Sequence, residues 1–219
     1  MILAIDTATQ YAGLALYNQD GICAEEAWYA GQNHTIELMP RIVRMLQSAN
    51  LNVPDLTALA VSLGPGSFTG LRIGLAVAKG MALPHKLAVV GVPTLEIVAY
   101  PFQDSNLPVW AIAQAGRGRI LAACYGPLKK KRWGLLIEPN LSTFDALAQT
   151  IETQALCVGE IDQEAAKILQ QGSQRKAHVV SPAGRLRRSG YLAEIAAARL
   201  AANDQDDPDA LVPIYTSSV

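Results

Sequence analysis

Ser62-Leu63-Gly64-Pro65-Gly66-Ser67-Phe68-Thr69-Gly70-Leu71-Arg72-Ile73-Gly74 is a glycine-rich turn that runs straight into a helix. Gly66, Gly70, Gly74, Ala78 and Ala82 recur at every fourth residue, so they line up as one stripe nearly free of side chains. A glycine inside a helix costs about 1 kcal/mol relative to alanine. Very close packing against another backbone is the natural compensation. Phe68, Leu71, Ile73, Leu75, Val77, Met81 and Leu83 make the rest of the helix apolar almost all round, which calls for burial on more than one face. In a chain of 219 residues this points to a partner protein.

The composition fits a folded chain of one large domain or two small lobes. Half of the residues are hydrophobic and 17% are charged, which excludes disorder. A net charge of -1 gives no general pull towards nucleic acid or anionic membranes. Cys23, Cys124 and Cys157 are odd in number and far apart, so reduced thiols are expected rather than a disulfide framework or a zinc knuckle. Met1 to Asp6 carries no secretory pattern, and Arg72 and Lys79 interrupt the longest apolar region. A cytoplasmic protein without membrane association is expected.

Outward from the glycine turn, Leu56 to Leu63 reads as a strand leading into it and the helix runs to about Leu83. Before these, Ile2 to Ile5 is an apolar run ending at Asp6-Thr7-Ala8-Thr9, followed by strands at Ala12 to Tyr17 and Ala24 to Tyr29 joined through Asn18-Gln19-Asp20-Gly21. This opening is consistent with an actin-like ATPase lobe. His34 to Gln47 is a helix with Asn33 as N-cap, and its apolar residues cover more than one face. Leu87 to Val92 is a strand and Pro93 to Glu96 opens a short helix. The Pro101 to Pro108 segment reads as a lobe boundary. Beyond it come strands at 109–113, 120–125 and 133–137, a helix from the cap Ser142 to Thr150, a strand at 155–158, a helix at 162–171, a short strand at Val179-Val180 and an alanine-rich helix from Tyr191 to Ala202. Two related α/β lobes result, one over 1–104 that carries the association helices and a smaller one over 105–219.

Candidate chemistry is sparse. Asp6 and Thr7 stand where actin-like ATPases hold magnesium and phosphate, yet Ala8 replaces the usual loop glycine, and Asp6 capping its own turn is the competing reading. The matching place in the second lobe is Ala113-Gln114-Ala115-Gly116-Arg117. Gln114 there is neutral and cannot serve as a general base or charged magnesium ligand. Gly64-x-Gly66-x-x-x-Gly70 is one residue too long for a dinucleotide fingerprint and lacks the lysine of a P-loop. Ser67 reads as an N-cap, with an anion at the helix start as the alternative. His34, His85 and His178 form no metal-binding pair. Lys129 to Arg132 reads as a solvated turn or a minor RNA contact, and Arg185 with Arg187-Arg188 is the other basic cluster. Arg72 and Lys79 either snorkel to solvent or, for Arg72, pair with a carboxylate across an interface.

Met1 to Thr9, His34-Thr35 with Leu38-Met39-Pro40, Gly64 to Gly74, and Gly91-Val92-Pro93-Thr94-Leu95 together resemble the TsaB (YeaZ) family, strongly over residues 1 to about 100 and more loosely beyond. The resemblance implies a two-lobed actin-like ATPase fold (ASKHA, ribonuclease H-like) with a degenerate nucleotide site. It implies a non-catalytic, dimerising subunit that binds the catalytic paralogue TsaD and supports threonylcarbamoyl transfer to the adenosine next to the tRNA anticodon. The P-loop ATPase TsaE would join, tRNA would be met only through the complex, and the chain alone would form a homodimer. No catalytic residue, metal or cofactor of its own is expected, ATP belonging to the partner subunits. The expected partner interface comprises Leu38, Ile42, Met45, Phe68, Gly70, Leu71, Arg72, Gly74, Leu75 and Ala78, with Asp6 and Thr7 as vestigial cofactor ligands. On that expectation Gly70→Leu or Gly74→Leu abolishes association while the monomer fold survives. The C-terminal Pro213-Ile214-Tyr215-Thr216 departs from the leucine and arginine common in the family. A stand-alone actin-like ATPase or small-molecule kinase is the alternative.

Overall fold

The computed structural model describes residues 1–128 and 133–215. Two compact units emerge. The first comprises Met1–Ile97 together with Arg188–Tyr215, and the second runs from Val98 to Arg187.

In the first unit, strands β1 (Ile2–Asp6), β2 (Tyr11–Asn18), β3 (Gly21–Tyr29), β4 (Ala58–Gly64) and β5 (Ala88–Pro93) form one sheet in the order β3-β2-β1-β4-β5. The β1–β2 and β2–β3 pairs are antiparallel, and β1–β4 and β4–β5 are parallel. Every residue of β1 and β4 is buried, as near-continuous apolar runs in central parallel strands must be. Helices α1 (His34–Ser48) and α2 (Phe68–His85) cover one face. Leu38, Ile42, Met45, Leu75, Ala78 and Met81 meet Leu3, Ile5, Leu14, Leu59 and Val61 there. The short α3 (Thr94–Ala99) follows β5.

The second unit repeats the plan. Strands β6 (Val109–Gly116), β7 (Arg119–Pro127), β8 (Trp133–Ser142), β9 (Ala155–Gly159) and β10 (Ala177–Val179) stand in the order β10-β9-β6-β7-β8. Antiparallel pairs again come first (β6–β7, β7–β8) and parallel pairs second (β6–β9, β9–β10). Helices α4 (Phe144–Thr150) and α5 (Gln163–Gly172) pack Leu147, Ala165 and Leu169, with Ile151 at the end of α4, over Trp110, Ile112 and Ile120. Thr143 rather than Ser142 caps α4, because its hydroxyl accepts the Ala146 N–H at 3.2 Å. Two copies of the β-β-β-α-β-α-β plan constitute the actin-like ATPase fold.

The final helix corrects the expected division at 104. Helix α6 (Ser189–Ala201) belongs to the first unit, where it packs on β1 and β2. Small residues on both sides permit this contact: a Cβ on Gly13 of β2 would collide with Ser189, and one on Gly190 of α6 would collide with Ile22 of β3. Glu25 of β3 fastens its start, accepting the Gly190 N–H at 2.7 Å and pairing with Arg188. That ion pair also neutralises one arginine of the 185–188 cluster. Lys129 to Arg132 and Thr216 lie outside the described residues.

Candidate functional site

The glycine stripe of α2 meets the β1–β2 loop of its own chain. A Cβ added at Gly66 would fall closer than 3.0 Å to the Ala8 carbonyl oxygen, one at Gly70 to the Thr7 carbonyl oxygen, and one at Gly74 to the Thr7 hydroxyl. The Ser67 N–H donates to the Ala8 carbonyl at 2.6 Å, and the Thr7 hydroxyl donates to the Gly70 carbonyl at 2.8 Å. Ser67 is the N-cap, its side chain accepting the Gly70 N–H at 3.2 Å. The backbone contact that the glycines call for is therefore made within the chain, and this corrects the inference that the stripe awaits another subunit.

The same contacts define what Asp6 and Thr7 do. Both are buried. The Asp6 Oδ1 accepts the Ala8 N–H at 3.0 Å, closing its own turn, and Thr7 is committed to Gly70. Beside them, His34 Nε2 lies 2.9 Å from the Thr9 carbonyl oxygen and ties the start of α1 to this loop.

Of the ten residues expected at a partner interface, eight lie in the first unit's own interior: Leu38, Ile42, Met45, Gly70, Leu71, Gly74, Leu75 and Ala78. Phe68 and Arg72 are exposed. The residues that these helices turn outward lie at another helical phase. On α1 the outward apolar residues are Ile36 (74% exposed), Met39 (41%) and Val43 (45%), spaced for one face and absent from the expected set. On α2 the outward series Phe68, Arg72, Ala76, Gly80 advances by four, flanked by half-buried Ile73 and Val77. Nothing lies within 4 Å of the place where a Gly80 Cβ would stand. The wide apolar surface of α1 was the available signal, but apolarity alone does not say which phase faces inward.

Among the described residues Arg72 meets no carboxylate, and it does not point free into solvent. Its guanidinium lies 3.7 Å from the Phe68 ring centroid, and its Nε donates to the Tyr215 hydroxyl at 2.8 Å. The Tyr215 ring lies against Phe68, tilted by 32° with centroids 5.1 Å apart.

In the second unit Gln114 is exposed at the end of β6, and its N–H donates to Glu160 Oε2 at 2.8 Å. Sequence reading missed Glu160, which reaches this strand end from the turn after β9. Among the described residues no cluster of three or more His, Cys, Asp or Glu could hold a metal ion. His178 bonds Gln154. Cys124 and Cys157 are buried, and desolvation pushes their thiols up to about 11 and about 12, with mutual repulsion adding to the shift at Cys157. Among the described residues no helix is long and apolar enough to cross a membrane.

The model of a family described as "TsaD: tRNA N6-adenosine threonylcarbamoyltransferase" matches residues 7–203. The chain belongs to this family, and curated relatives that it matches carry the name TsaB. It is 36% identical over 132 residues to the tRNA threonylcarbamoyladenosine biosynthesis protein TsaB of Escherichia coli (strain K12), covering 60% of this chain and 53% of that protein. It is 34% identical over 124 residues to the TsaB of Bacillus subtilis (strain 168), covering 57% and 54%. The chain thus spans about half the length of the curated relatives it matches. The structure of YeaZ from Pseudomonas aeruginosa superposes with a TM-score of 0.79 over 98% of this chain and 99% of that one, and its 21% identity speaks for the fold alone.

Proposed function

We propose that this chain is a non-catalytic scaffold subunit of the machinery that forms threonylcarbamoyladenosine in tRNA, docking the outer faces of α1 and α2 on the catalytic paralogue TsaD. The observation that carries the reading is the exposed apolar row Ile36, Met39 and Val43 on α1 together with the exposed small residues Ala76 and Gly80 on α2. Apolar side chains at helical spacing next to a helix surface without bulk suit a second pair of helices at short interaxial distance. A paralogue with the same fold carries an equivalent pair, which makes a four-helix layer the economical solution. The TsaB names of the relatives and the TsaD family model support this choice of partner. In the same reading the P-loop ATPase TsaE joins the pair, ATP is held by the partner subunits, and tRNA is met through the assembly. A homodimer would use the same face when the paralogue is absent, and the setting is the cytoplasm. The competing stand-alone ATPase or kinase is opposed by Asp6 and Thr7 being turned into the chain's own packing and by the uncharged Gln114.

Val43→Glu tests the docking face. The residue is exposed, so the isolated chain keeps its unfolding midpoint, whereas a carboxylate sealed unpaired in an interface costs several kcal/mol. Titration with the catalytic paralogue is expected to show binding weakened by roughly a hundredfold or more, with threonylcarbamoyl transfer by the reconstituted complex falling in step. Native affinity in this variant refutes the assignment, and ATP turnover by the isolated chain would favour the competing reading.

A further inference from the structure

Beyond the apolar row, the outer series of α2 begins with a feature that two distant parts of the chain build together. Segment 211–215 returns to the glycine turn, where the Ile214 N–H donates to the Leu63 carbonyl at 2.7 Å. Gly64, at φ +107°, admits the Ile214 carbonyl where a Cβ would obstruct it. This return sets the Tyr215 ring against Phe68 and its hydroxyl on Arg72 Nε. The guanidinium is stacked on one side by Phe68 and held at its Nε corner by Tyr215, which leaves its Nη groups, among the described residues, as the open end of a planar fork. Among the described residues Arg72 has no carboxylate partner, and Phe68, Arg72 and Tyr215 are all exposed.

We propose that this stack is a prearranged site for a carboxylate of the catalytic paralogue, with Arg72 as the contact and Tyr215 as its positioning residue. The inference rests on the docking reading above. Arg72 lies one turn from Ala76 on the same outward series, so a partner helix seated there reaches the fork. The planar fork matches a carboxylate bidentately. A guanidinium already fixed by stacking loses little freedom on binding, and aromatic residues with arginine are the composition of interface anchors. A single fixed cation on a chain of net charge -1 favours a protein carboxylate over an RNA backbone, which several cations together would have to neutralise.

The full chain is titrated with the paralogue as wild type, Tyr215→Phe, Arg72→Ala, the double variant and Val43→Glu. Tyr215→Phe keeps the ring on Phe68 and removes only the hydroxyl, so the unfolding midpoint stays put. Binding is expected to weaken on the order of tenfold for Arg72→Ala and severalfold for Tyr215→Phe. Because Tyr215 acts through Arg72, adding Tyr215→Phe to Arg72→Ala causes no further loss. Multiplying losses, or native affinity in Tyr215→Phe and Arg72→Ala while Val43→Glu fails to bind, overturns the proposal and leaves the docking face standing. Native affinity in Val43→Glu overturns the docking reading itself. Unchanged paralogue binding with a loss of tRNA binding in Arg72→Ala would assign the fork to a phosphate, against the proposal.

Discussion

Gly70→Ala separates the two meanings a glycine stripe can have. In this fold the added methyl falls closer than 3.0 Å to the Thr7 carbonyl oxygen, a backbone atom at the end of the central strand β1. Neither side can yield by a rotamer change, so α2 must move off the loop. Overpacking of this kind costs about 1–3 kcal/mol. Moving the helix also strains the Thr7 hydroxyl bond to the Gly70 carbonyl, worth about 0.5–1.5 kcal/mol. Against these stands a gain of about 1 kcal/mol in helix propensity. The balance is a loss of roughly 0.5–3.5 kcal/mol, which at about 2–4 °C per kcal/mol for a chain of this size lowers the midpoint by about 1–14 °C. Gly80→Ala on the same helix is the control. Nothing lies within 4 Å of the new methyl, so the propensity gain survives and the variant should be slightly more stable. The assay is chemical unfolding of the isolated chain followed by circular dichroism. A Gly70→Ala chain as stable as the wild type, or more so, would refute the intramolecular account and return the stripe to a partner.

Two further outcomes follow from burial. Desolvation raises the Glu96 carboxyl above the ordinary glutamate range, with Arg199 pulling it part of the way back. A raised folded value means stability present at acid pH and lost as the pH climbs through it, so Glu96→Gln should be more stable than the wild type at pH 7 and lose that advantage near pH 4. Unfolding midpoints at the two pH values check the sign, and an advantage that grows on acidification would be contrary to it. The buried thiols of Cys124 and Cys157, pushed up to about 11 and about 12, should resist a thiol reagent at pH 8 while the exposed Cys23 reacts. One rapid equivalent is expected in the native chain and three after denaturation; three rapid native equivalents would contradict the packing of β7 and β9.

Much of the fold was legible because central parallel strands are short apolar runs and their helices carry the 3.6-residue period. Ile2 to Ile5, Leu56 to Leu63 and the doubled strand-then-helix order needed only local information. The division of the chain did not follow from such cues. Tyr191 to Ala202 reads as a helix, but its unit is decided by Glu25, more than a hundred and sixty residues earlier, which accepts the Gly190 N–H and pairs with Arg188. The alanines that make the helix narrow also hide which sheet it suits. Glu160 was illegible for the same reason, since only the parallel β6–β9 pairing brings it to Gln114.

The site shows where reading from residue type stops. A glycine every fourth residue states that a backbone comes close; it does not state whose. Here the answer depends on Ala8 and Thr7, whose carbonyl oxygens fill the space above Gly66 and Gly70. The same substitution of meaning applies to Asp6 and Thr7. In an active phosphate loop their side chains and the turn amides face a ligand; in this chain Ser67, the cap of α2, holds the Ala8 carbonyl, and Thr7 faces the helix. Engagement of the β1–β2 loop and tight seating of α2 are thus two descriptions of one set of contacts. If so, loosening the stripe should not restore a phosphate site, because the loop would lose the helix that orders it. What the seating leaves outward is the Phe68, Arg72, Ala76 and Gly80 series, and it is this opposite face of the same helix that the proposed partner would read.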